Sequence, residues 1–150
     1  MEYVESFTEL EVYKLSRRLS KEIFDASKRF PKEEMYSLTD QIRRSSRSIG
    51  AQIAEAWGKR PYERHFISKL TDADGEQLET QHWIKTAEDC SYFSKESADE
   101  LLEQYARVGG MLSSMINKSA SFCIKPTLQG ETTDEISDTE YRILKPNTKH

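Results

Sequence analysis

The stretch that decides the fold is residues 37–60, which read SLTDQIRRSSRSIGAQIAEAWGKR. Its large apolar residues recur at steps of four and seven, which places them on one side of a 3.6-residue helix. Ser37 stands where a helix N-cap is expected, and Gly58 and Pro61 stand where a helix would end. The pattern therefore predicts one long helix with a buried stripe made of Leu38, Ile42, Ile49, Ile53 and Trp57.

The middle of this helix is filled with small residues, although a mid-helix glycine costs about 1 kcal/mol relative to alanine. Successive residues on a helix are 100° apart, so Arg43, Arg47, Gly50 and Ala54 share one flank beside the apolar stripe. Small side chains allow another backbone to come close. We therefore expect this flank to pack against a neighbouring element.

Helical patterns also lie on both sides of the central stretch. An apolar stripe from Thr8 to Arg29 predicts a helix whose first turn is a capping box formed by Thr8 and Glu11. Pro31 ends this helix, because the residue before a proline is pushed out of the helical region.

Two further helices follow the central one. The third is predicted from Pro61 to about Ser91, since proline is tolerated at the first helical position. The fourth is predicted to begin after Ser94 or Ser97 and to carry an a/d pattern up to Phe122. Short links make consecutive helices antiparallel, so residues 1–123 are predicted to form an all-α, up-down-up-down four-helix bundle.

Residues 124–150 have no sustained hydrophobic period, and they include two prolines and many hydroxyl and charged residues. This composition predicts a disordered C-terminal tail. Tyr141, Ile143 and Leu144 form a small apolar patch within the tail, which suits docking on a partner or a neighbouring subunit.

Composition limits the classes of protein to consider. With 150 residues, 36% hydrophobic and 32% charged, the chain fits one domain with one core. It has no apolar run of 18 residues, and its first ten residues, MEYVESFTEL, have neither a basic start nor an apolar segment. We therefore expect no membrane span and no signal peptide, and a cytoplasmic location.

Charge is divided unevenly along the chain, whose formal net charge is −4. Residues 8–60 contain 12 Lys and Arg against 8 Asp and Glu, whereas residues 61–123 contain 6 against 11. A basic first hairpin suits either a rim that binds nucleic acid or head-to-tail contacts with an acidic neighbour.

Counting outward from the helix turns places residues opposite one another. A turn near Lys59 brings Arg47 opposite Asp72 and Arg43 opposite Glu76, which predicts two ion pairs one helical turn apart. A turn near Phe93 brings three glycines of the third and fourth helices to one level, where they would allow a close backbone approach; these are Gly75, Gly109 and Gly110.

Two segments resemble a known family. Residues 7–19, FTELEVYKLSRRL, and residues 41–83, QIRRSSRSIGAQIAEAWGKRPYERHFISKLTDADGEQLETQHW, are similar to bacterial four-helix-bundle proteins associated with intervening sequences of large-subunit ribosomal RNA genes. The resemblance covers about residues 7–123. It implies an up-down-up-down bundle that assembles into a homo-oligomer, with a pentamer the best-known arrangement, and it implies no enzyme. A related group, the accessory variability proteins of diversity-generating retroelements, forms pentamers that bind nucleic acid and a reverse transcriptase.

Catalytic and metal-binding patterns are weak. Glu79 and His82 have the Glu-x-x-His spacing of di-iron bundles, but such sites need two of these pairs and two more glutamates. Glu55 and His65 should lie at one level across a turn, where a simple hydrogen-bonded pair is expected. No nucleophile elbow, phosphate loop or dinucleotide fingerprint occurs in the sequence. We therefore expect no enzyme activity, no metal site and no cofactor.

Two hypotheses follow for function. The first is a non-catalytic scaffold that binds RNA or DNA through a basic patch of Arg43, Arg44, Arg47, Lys59 and Arg60. The second is a protein-interaction scaffold with no nucleic-acid binding, in which ion pairs occupy the arginines.

The sequence also predicts which residues form the contacts between subunits of a homo-oligomer. The third helix carries apolar residues on both sides of its inward stripe: Ile67 and Leu78 on one flank and Trp83 on the other. Two flanks covered by two neighbours require a heterologous interface, which closes into a ring. These three residues are the predicted contacts between subunits.

Overall fold

The computed structural model describes residues 4–123, and every regular element in this range is a helix. Short 3₁₀ helices at Phe7–Glu9 and Lys32–Glu34 precede the first two long helices. The predicted all-α class with four long helices is confirmed; the helices are α1 (Glu11–Ser27), α2 (Leu38–Gly58), α3 (Glu63–Asp89), α4 (Lys95–Asn117) and a final single turn, α5 (Ser119–Phe122).

The four long helices form a square bundle. α1 packs against α2 and α4, and α3 packs against the same two neighbours. Because each helix is joined to the next by a short connection, consecutive helices run antiparallel. Of the four neighbouring pairs, α1 and α4 are packed most sparsely.

The core is built from the predicted stripes. In α2, the side chains of Ile42, Ile49 and Ile53 are fully buried. Tyr105 of α4 is the largest of the fully buried side chains. Each large apolar side chain buried in this way contributes about 1.5–3 kcal/mol to the free energy of unfolding. The stripes therefore decide which face of each helix points inward.

The first two helix starts differ from the prediction. Ser6, and not Thr8, accepts a backbone N–H at the start of the chain, and it caps the 3₁₀ turn at Phe7–Glu9. α1 then begins at Glu11 without a side-chain cap, so the capping box of Thr8 and Glu11 does not form. Ser37 makes no capping hydrogen bond either; instead, the carboxylate of Glu34 accepts the N–H of Leu38 at 3.4 Å.

The turn between α2 and α3 lies further along the chain than predicted. Gly58 is the last residue of α2 and is not in the left-handed conformation, and Lys59 follows it as the C-cap. Pro61 is in the turn, and α3 begins two residues later, at Glu63. This displacement matters for the register between the two helices.

α3 ends in a Schellman motif. Ser91 has a positive φ of 62°, the N–H of Tyr92 bonds to the carbonyl of Ala87, and the N–H of Ser91 bonds to the carbonyl of Glu88. The chain then reverses, and Ser94 caps α4 by accepting the N–H of Ser97, as predicted.

The three glycines of α3 and α4 do not share one cause. A Cβ on Gly109 would lie 2.8 Å from Nε2 of Gln77, so Gly109 does make room for the opposite helix, although for a side chain and not for a backbone. Apart from their chain neighbours and the backbone of their own helices, no atom of residues 4–123 lies within 4 Å of a Cβ position on Gly75 or Gly110, so the predicted close approach is wrong for these two.

Two expectations concern the rest of the chain and the membrane. The predicted tail, with Tyr141, Ile143 and Leu144, lies outside the described residues.

Within residues 4–123, no helix is long and apolar enough to cross a membrane.

Candidate nucleic-acid interface

Three cations converge on the ring of Phe24, which is half-buried on α1. The guanidinium carbons of Arg43 and Arg47 lie 4.7 Å and 5.1 Å from the ring centroid, and Nζ of Lys28 lies 4.7 Å from it. An exposed cation over an aromatic ring gains about 0.5–1 kcal/mol, which offsets part of the repulsion among three like charges. We call these four residues the Phe24 cluster.

Helical spacing brings the cluster together. Lys28 is four residues after Phe24 along α1, and Arg47 is four residues after Arg43 on α2. Residues four apart lie on the same face of a helix. Since α1 and α2 are antiparallel neighbours, the two pairs meet at one level of the bundle.

A buried hydroxyl positions Arg43. Its Nε–H donates to Oγ of Ser27 at 2.7 Å, and Ser27 in turn donates to the backbone carbonyl of Phe24 at 3.0 Å. Ser27 is only 2% exposed, so this contact is shielded from water. The guanidinium is thus held over the ring by a neutral partner, which leaves its charge unchanged.

Acidic groups lie mostly away from the cluster. In residues 4–123, neither Arg43 nor Arg47 belongs to any ion pair within 4.0 Å. Lys28 lies 3.9 Å from Asp25, whose closer partner is Lys21 at 2.7 Å. The hydrogen bond from Lys21 lowers the pKa of Asp25. The cluster therefore keeps a positive balance.

The cationic surface continues along the seam between α1 and α2. Arg17 lies over the ring of Tyr13, with its guanidinium carbon 5.9 Å from the ring centroid. Gly50 of α2 packs against Tyr13 and Ser16, at 3.5 Å from a Cβ position to each. Phe24 is eleven residues from Tyr13, so the surface extends over about 16 Å. We call Tyr13, Arg17 and the Phe24 cluster the basic strip.

The predicted packing flank of α2 thus faces α1. Arg43 and Arg47 contact Phe24, and Gly50 contacts Tyr13 and Ser16. Phe24 and Lys28 were missed from the sequence. Their signal is an aromatic residue outside the apolar stripe of α1, followed by a cation four residues later.

The predicted five-residue basic patch is divided by the fold. Arg43 and Lys59, the C-cap of α2, are sixteen residues apart, which is about 24 Å along the helix axis. Arg44 is exposed, and its closest carboxylate oxygen belongs to Asp40 at 3.9 Å. Lys59 is exposed beyond the other end of the helix.

Arg60 is part of the core and not of the surface. It is 9% exposed, its guanidinium carbon lies 3.6 Å from the ring centroid of Trp57, and its Nε–H donates to the carbonyl of Trp57. Burial lowers the pKa of Arg60. Burial and the bond of its Nε–H to Trp57 disfavour the predicted contact of Arg60 with nucleic acid, so Arg60 is not part of the basic strip.

The two predicted ion pairs, Arg43 with Glu76 and Arg47 with Asp72, are absent from the described part of the chain. One reason is orientation, since both arginines turn toward Phe24 on α1.

The other reason is register. The hydroxyl of Thr80 donates to Ser45 at 2.9 Å, whereas the predicted register would have placed residue 74 there. The later turn moves α3 along α2 by roughly six residues.

Glu76 forms no ion pair with Arg43 in the described part of the chain, and the raised pKa of its carboxyl agrees with this. Burial raises the pKa of its carboxyl, and the neighbouring carboxylates of Glu79 and Asp72 raise it further, while Arg44 opposes them. A close ion pair with Arg43 would have lowered the pKa of Glu76.

The residues predicted to contact another subunit differ in exposure. Leu78 is 55% exposed, which fits an uncovered apolar surface. Ile67 and Trp83 are partly buried and pack against the core, and the indole N–H of Trp83 donates to Glu79 at 3.1 Å. The isolated chain therefore shows one of the two predicted exposed flanks.

The side chains considered for a metal site or a catalytic pair do not come together among the described residues. Among residues 4–123, no three His, Cys, Asp or Glu side chains lie close enough together to hold a metal ion. Glu55 is approached by Lys69, with 3.4 Å between Nζ and the carboxylate oxygen. His65 packs against the ring of Tyr62. The predicted pair of Glu55 and His65 therefore does not form.

The fold and the basic strip together define a class: small all-helical bundle proteins with a cationic surface on the first hairpin. The chain belongs to the 23S rRNA-intervening sequence protein family, whose sequence profile matches residues 8–114. This membership confirms the resemblance seen in the sequence.

The fold is similar to that of a solved structure. This is the crystal structure of a protein of unknown function from the S23 ribosomal protein family of Bacteroides thetaiotaomicron VPI-5482. The two chains are 28% identical with a TM-score of 0.64, and the similarity covers 71% of this chain and 95% of that one. No curated protein matches the chain significantly.

Proposed function

We propose that this protein is a non-catalytic helical scaffold that binds nucleic acid through the basic strip. The observation that carries the proposal is the convergence of Arg43, Arg47 and Lys28 on one ring, with no carboxylate oxygen of residues 4–123 within 4.0 Å of either arginine. Cations crowded together in this way gain from an anion that neutralises them.

Phosphate suits this surface for two reasons. A guanidinium presents parallel N–H donors that match two phosphate oxygens, and it stays charged at all physiological pH values. A duplex carries one negative charge per about 1.7 Å, so a strip of about 16 Å can meet several phosphates. Tyr13 and Phe24 add rings on which an unpaired base can stack.

RNA is the ligand to test first, because the family's description refers to 23S rRNA. The experiment measures fluorescence anisotropy of a labelled single-stranded RNA and a labelled RNA duplex at several salt concentrations. The test variant is Arg43→Gln with Arg47→Gln. The matched control is Arg64→Gln with Arg107→Gln, which removes two exposed arginines from α3 and α4.

The test variant should bind at least about tenfold more weakly, and its log–log salt dependence should flatten by about two ion contacts. The control should bind like the wild type. Equal affinities for all three proteins, or equal losses in both variants, would rule out the basic strip as the binding surface.

The scaffold role includes assembly, and we propose that the protein is a homo-oligomer. Leu78 is a large apolar residue left 55% exposed on α3, which suits a contact between subunits. The pentameric state is implied by the family resemblance alone. Light scattering after size exclusion should give a multiple of the 17.4 kDa chain mass.

Leu78→Glu should lower that mass, whereas Ser113→Glu, on the exposed side of α4, should not. A wild-type mass of one chain at micromolar concentration would contradict assembly. An unchanged mass for Leu78→Glu would show that Leu78 is not part of the contact between subunits.

A second candidate is a protein-interaction scaffold that does not bind nucleic acid. Its support is the exposed apolar pair before α2, where Tyr36 is 94% exposed and Met35 is 47% exposed. The anisotropy experiment separates the two candidates, since only the first predicts RNA binding that depends on Arg43 and Arg47.

A further inference from the structure

A groove of about 640 Å³ opens between α1 and α4. It lies on the sparsely packed side of the bundle, away from the seam of α1 and α2 that carries the basic strip. Leu19, Phe93 and Leu101 give it an apolar lining. Pockets of about 300–1,000 Å³ hold small ligands or a few side chains of a peptide.

The rim of the groove is acidic. Glu22, Asp25, Glu100 and Glu103 line it against two arginines. Glu22 and Asp25 have cationic neighbours on α1, but in residues 4–123 neither Glu100 nor Glu103 belongs to an ion pair within 4.0 Å. The α4 side of the groove is therefore open to a cationic partner.

One polar atom of the groove lining has no hydrogen-bond partner among the described residues. Oε1 of Gln104, which lines the groove, is buried without a donor. Buried polar atoms in folded proteins are rarely left unsatisfied. This amide oxygen can therefore accept a hydrogen bond from a group that enters the groove.

The chain leaves the described bundle on the same seam. Phe122 lines a smaller pocket of about 240 Å³ between α1 and α4, with Leu10, Val12, Met111 and Met115. Cys123 follows it directly. The residues after Cys123 thus start at one end of the seam, and the larger groove lies toward the other end.

We propose that residues 141–145, YRILK, dock in the groove between α1 and α4 of their own chain. Tyr141, Ile143 and Leu144 supply apolar side chains for the lining, and Arg142 and Lys145 supply charge for Glu100 and Glu103. Residues 141–150 contain three Lys and Arg and no Asp or Glu, so their charge is opposite to that of the rim.

The residues between the bundle and residues 141–145 are long enough to let this segment reach the groove. Leu101 is 21 residues before Phe122, which is about 30 Å along a helix. The 17 residues from 124 to 140 can span up to about 55 Å when extended. The segment can therefore reach the groove without displacing any part of the bundle.

The experiment is amide hydrogen exchange on the full chain, followed at residues 141–145 and compared with a free peptide of the same sequence. The groove variant is Glu100→Lys with Glu103→Lys. The matched control, Asp72→Lys with Asp89→Lys, places the same charges on exposed sites of α3. Circular dichroism verifies that each variant remains helical.

Exchange at residues 141–145 should be slowed by about tenfold or more in the wild type and in the control, and the protection should be lost in the groove variant. Because a stable oligomer would also give protection that does not change with protein concentration, the exchange is repeated on Leu78→Glu. Protection that persists when this variant has the mass of one chain indicates docking within one chain.

Exchange as fast as in the free peptide would overturn the proposal, and so would protection that survives in the groove variant. Protection that rises with concentration would assign the groove to a second copy and would also overturn docking in the same chain.

A second variant tests the segment and leaves the bundle unaltered. Tyr141→Ser with Leu144→Ser should shift the side-chain amide NMR signals of Gln104 relative to the wild type. Unchanged signals would contradict contact between the segment and the groove. Neither measurement depends on nucleic-acid binding, so each can fail or succeed independently of the proposed function.

Discussion

Arg43 of α2 donates its Nε–H to the hydroxyl of Ser27 on α1, with 2.7 Å between the two atoms. The partner of this cation is neutral and almost fully buried, which fixes the guanidinium in place without cancelling its charge. A carboxylate in the same position would have made an ordinary ion pair. The geometry is that of a positioned cation with its charge still available.

Ser27→Ala should weaken RNA binding while keeping every charge. The variant removes the acceptor of Arg43, which then loses its fixed position over Phe24. We expect a loss of about 1 kcal/mol in the free energy of unfolding, and a loss of RNA affinity smaller than that of the double arginine variant. Urea denaturation and RNA titration measure the two effects. Unchanged affinity would mean that this hydrogen bond does not position Arg43 for binding.

Glu76→Gln should stabilise the protein at pH 7. The folded state raises the pKa of Glu76, chiefly through burial, so the ionised form is disfavoured in the folded chain. The advantage of the variant should shrink as the pH falls through the raised pKa of folded Glu76 and should be lost below the ordinary value of 4.5, where the carboxyl is protonated in both the folded and the unfolded chain. Thermal melting at pH 7 and pH 4 measures this. A lower melting temperature for the variant at pH 7 would contradict a net cost of the ionised carboxylate in the folded chain.

Ser45 and Thr80 should behave as a coupled pair. Their hydroxyls are 2.9 Å apart at the interface of α2 and α3, and both side chains are almost fully buried. Thr80→Val alone should cost about 1 kcal/mol in the free energy of unfolding. Adding Ser45→Ala should cost less than it does in the wild type, because the hydroxyl left without its donor is removed as well. Strictly additive losses in a double-mutant cycle would show that the two hydroxyls do not interact.

Ser91→Gly should stabilise the turn between α3 and α4. Ser91 has a φ of 62°, a left-handed conformation that costs a side-chain-bearing residue about 1–2 kcal/mol. Glycine avoids this cost but loses more backbone entropy on folding, so a net gain of about 0.5–1 kcal/mol is expected in urea denaturation. Ser113→Gly, on an exposed site within α4, should instead destabilise the protein by about the same amount. A loss of stability in Ser91→Gly would contradict the strained conformation.

The sequence by itself determined the helices and their inward faces. Leu38, Ile42, Ile49, Ile53 and Trp57 are all buried, as their spacing predicted. Helical periodicity is a local property, and burial of an apolar stripe is favourable whichever neighbour covers it. For this reason the sequence predicts the all-α class and the four long helices, while the family is indicated separately by the resemblance of residues 7–19 and 41–83.

Only the tertiary structure decided which residues meet across the helices. A turn that ends two residues later than expected shifts α3 along α2, and the predicted partners of Arg43 and Arg47 are lost. The rotation of α2 then turns both arginines toward Phe24, while Arg60 folds back over Trp57 into the core. Register and rotation depend on packing summed over whole helix faces, and no local spacing in the chain contains that information.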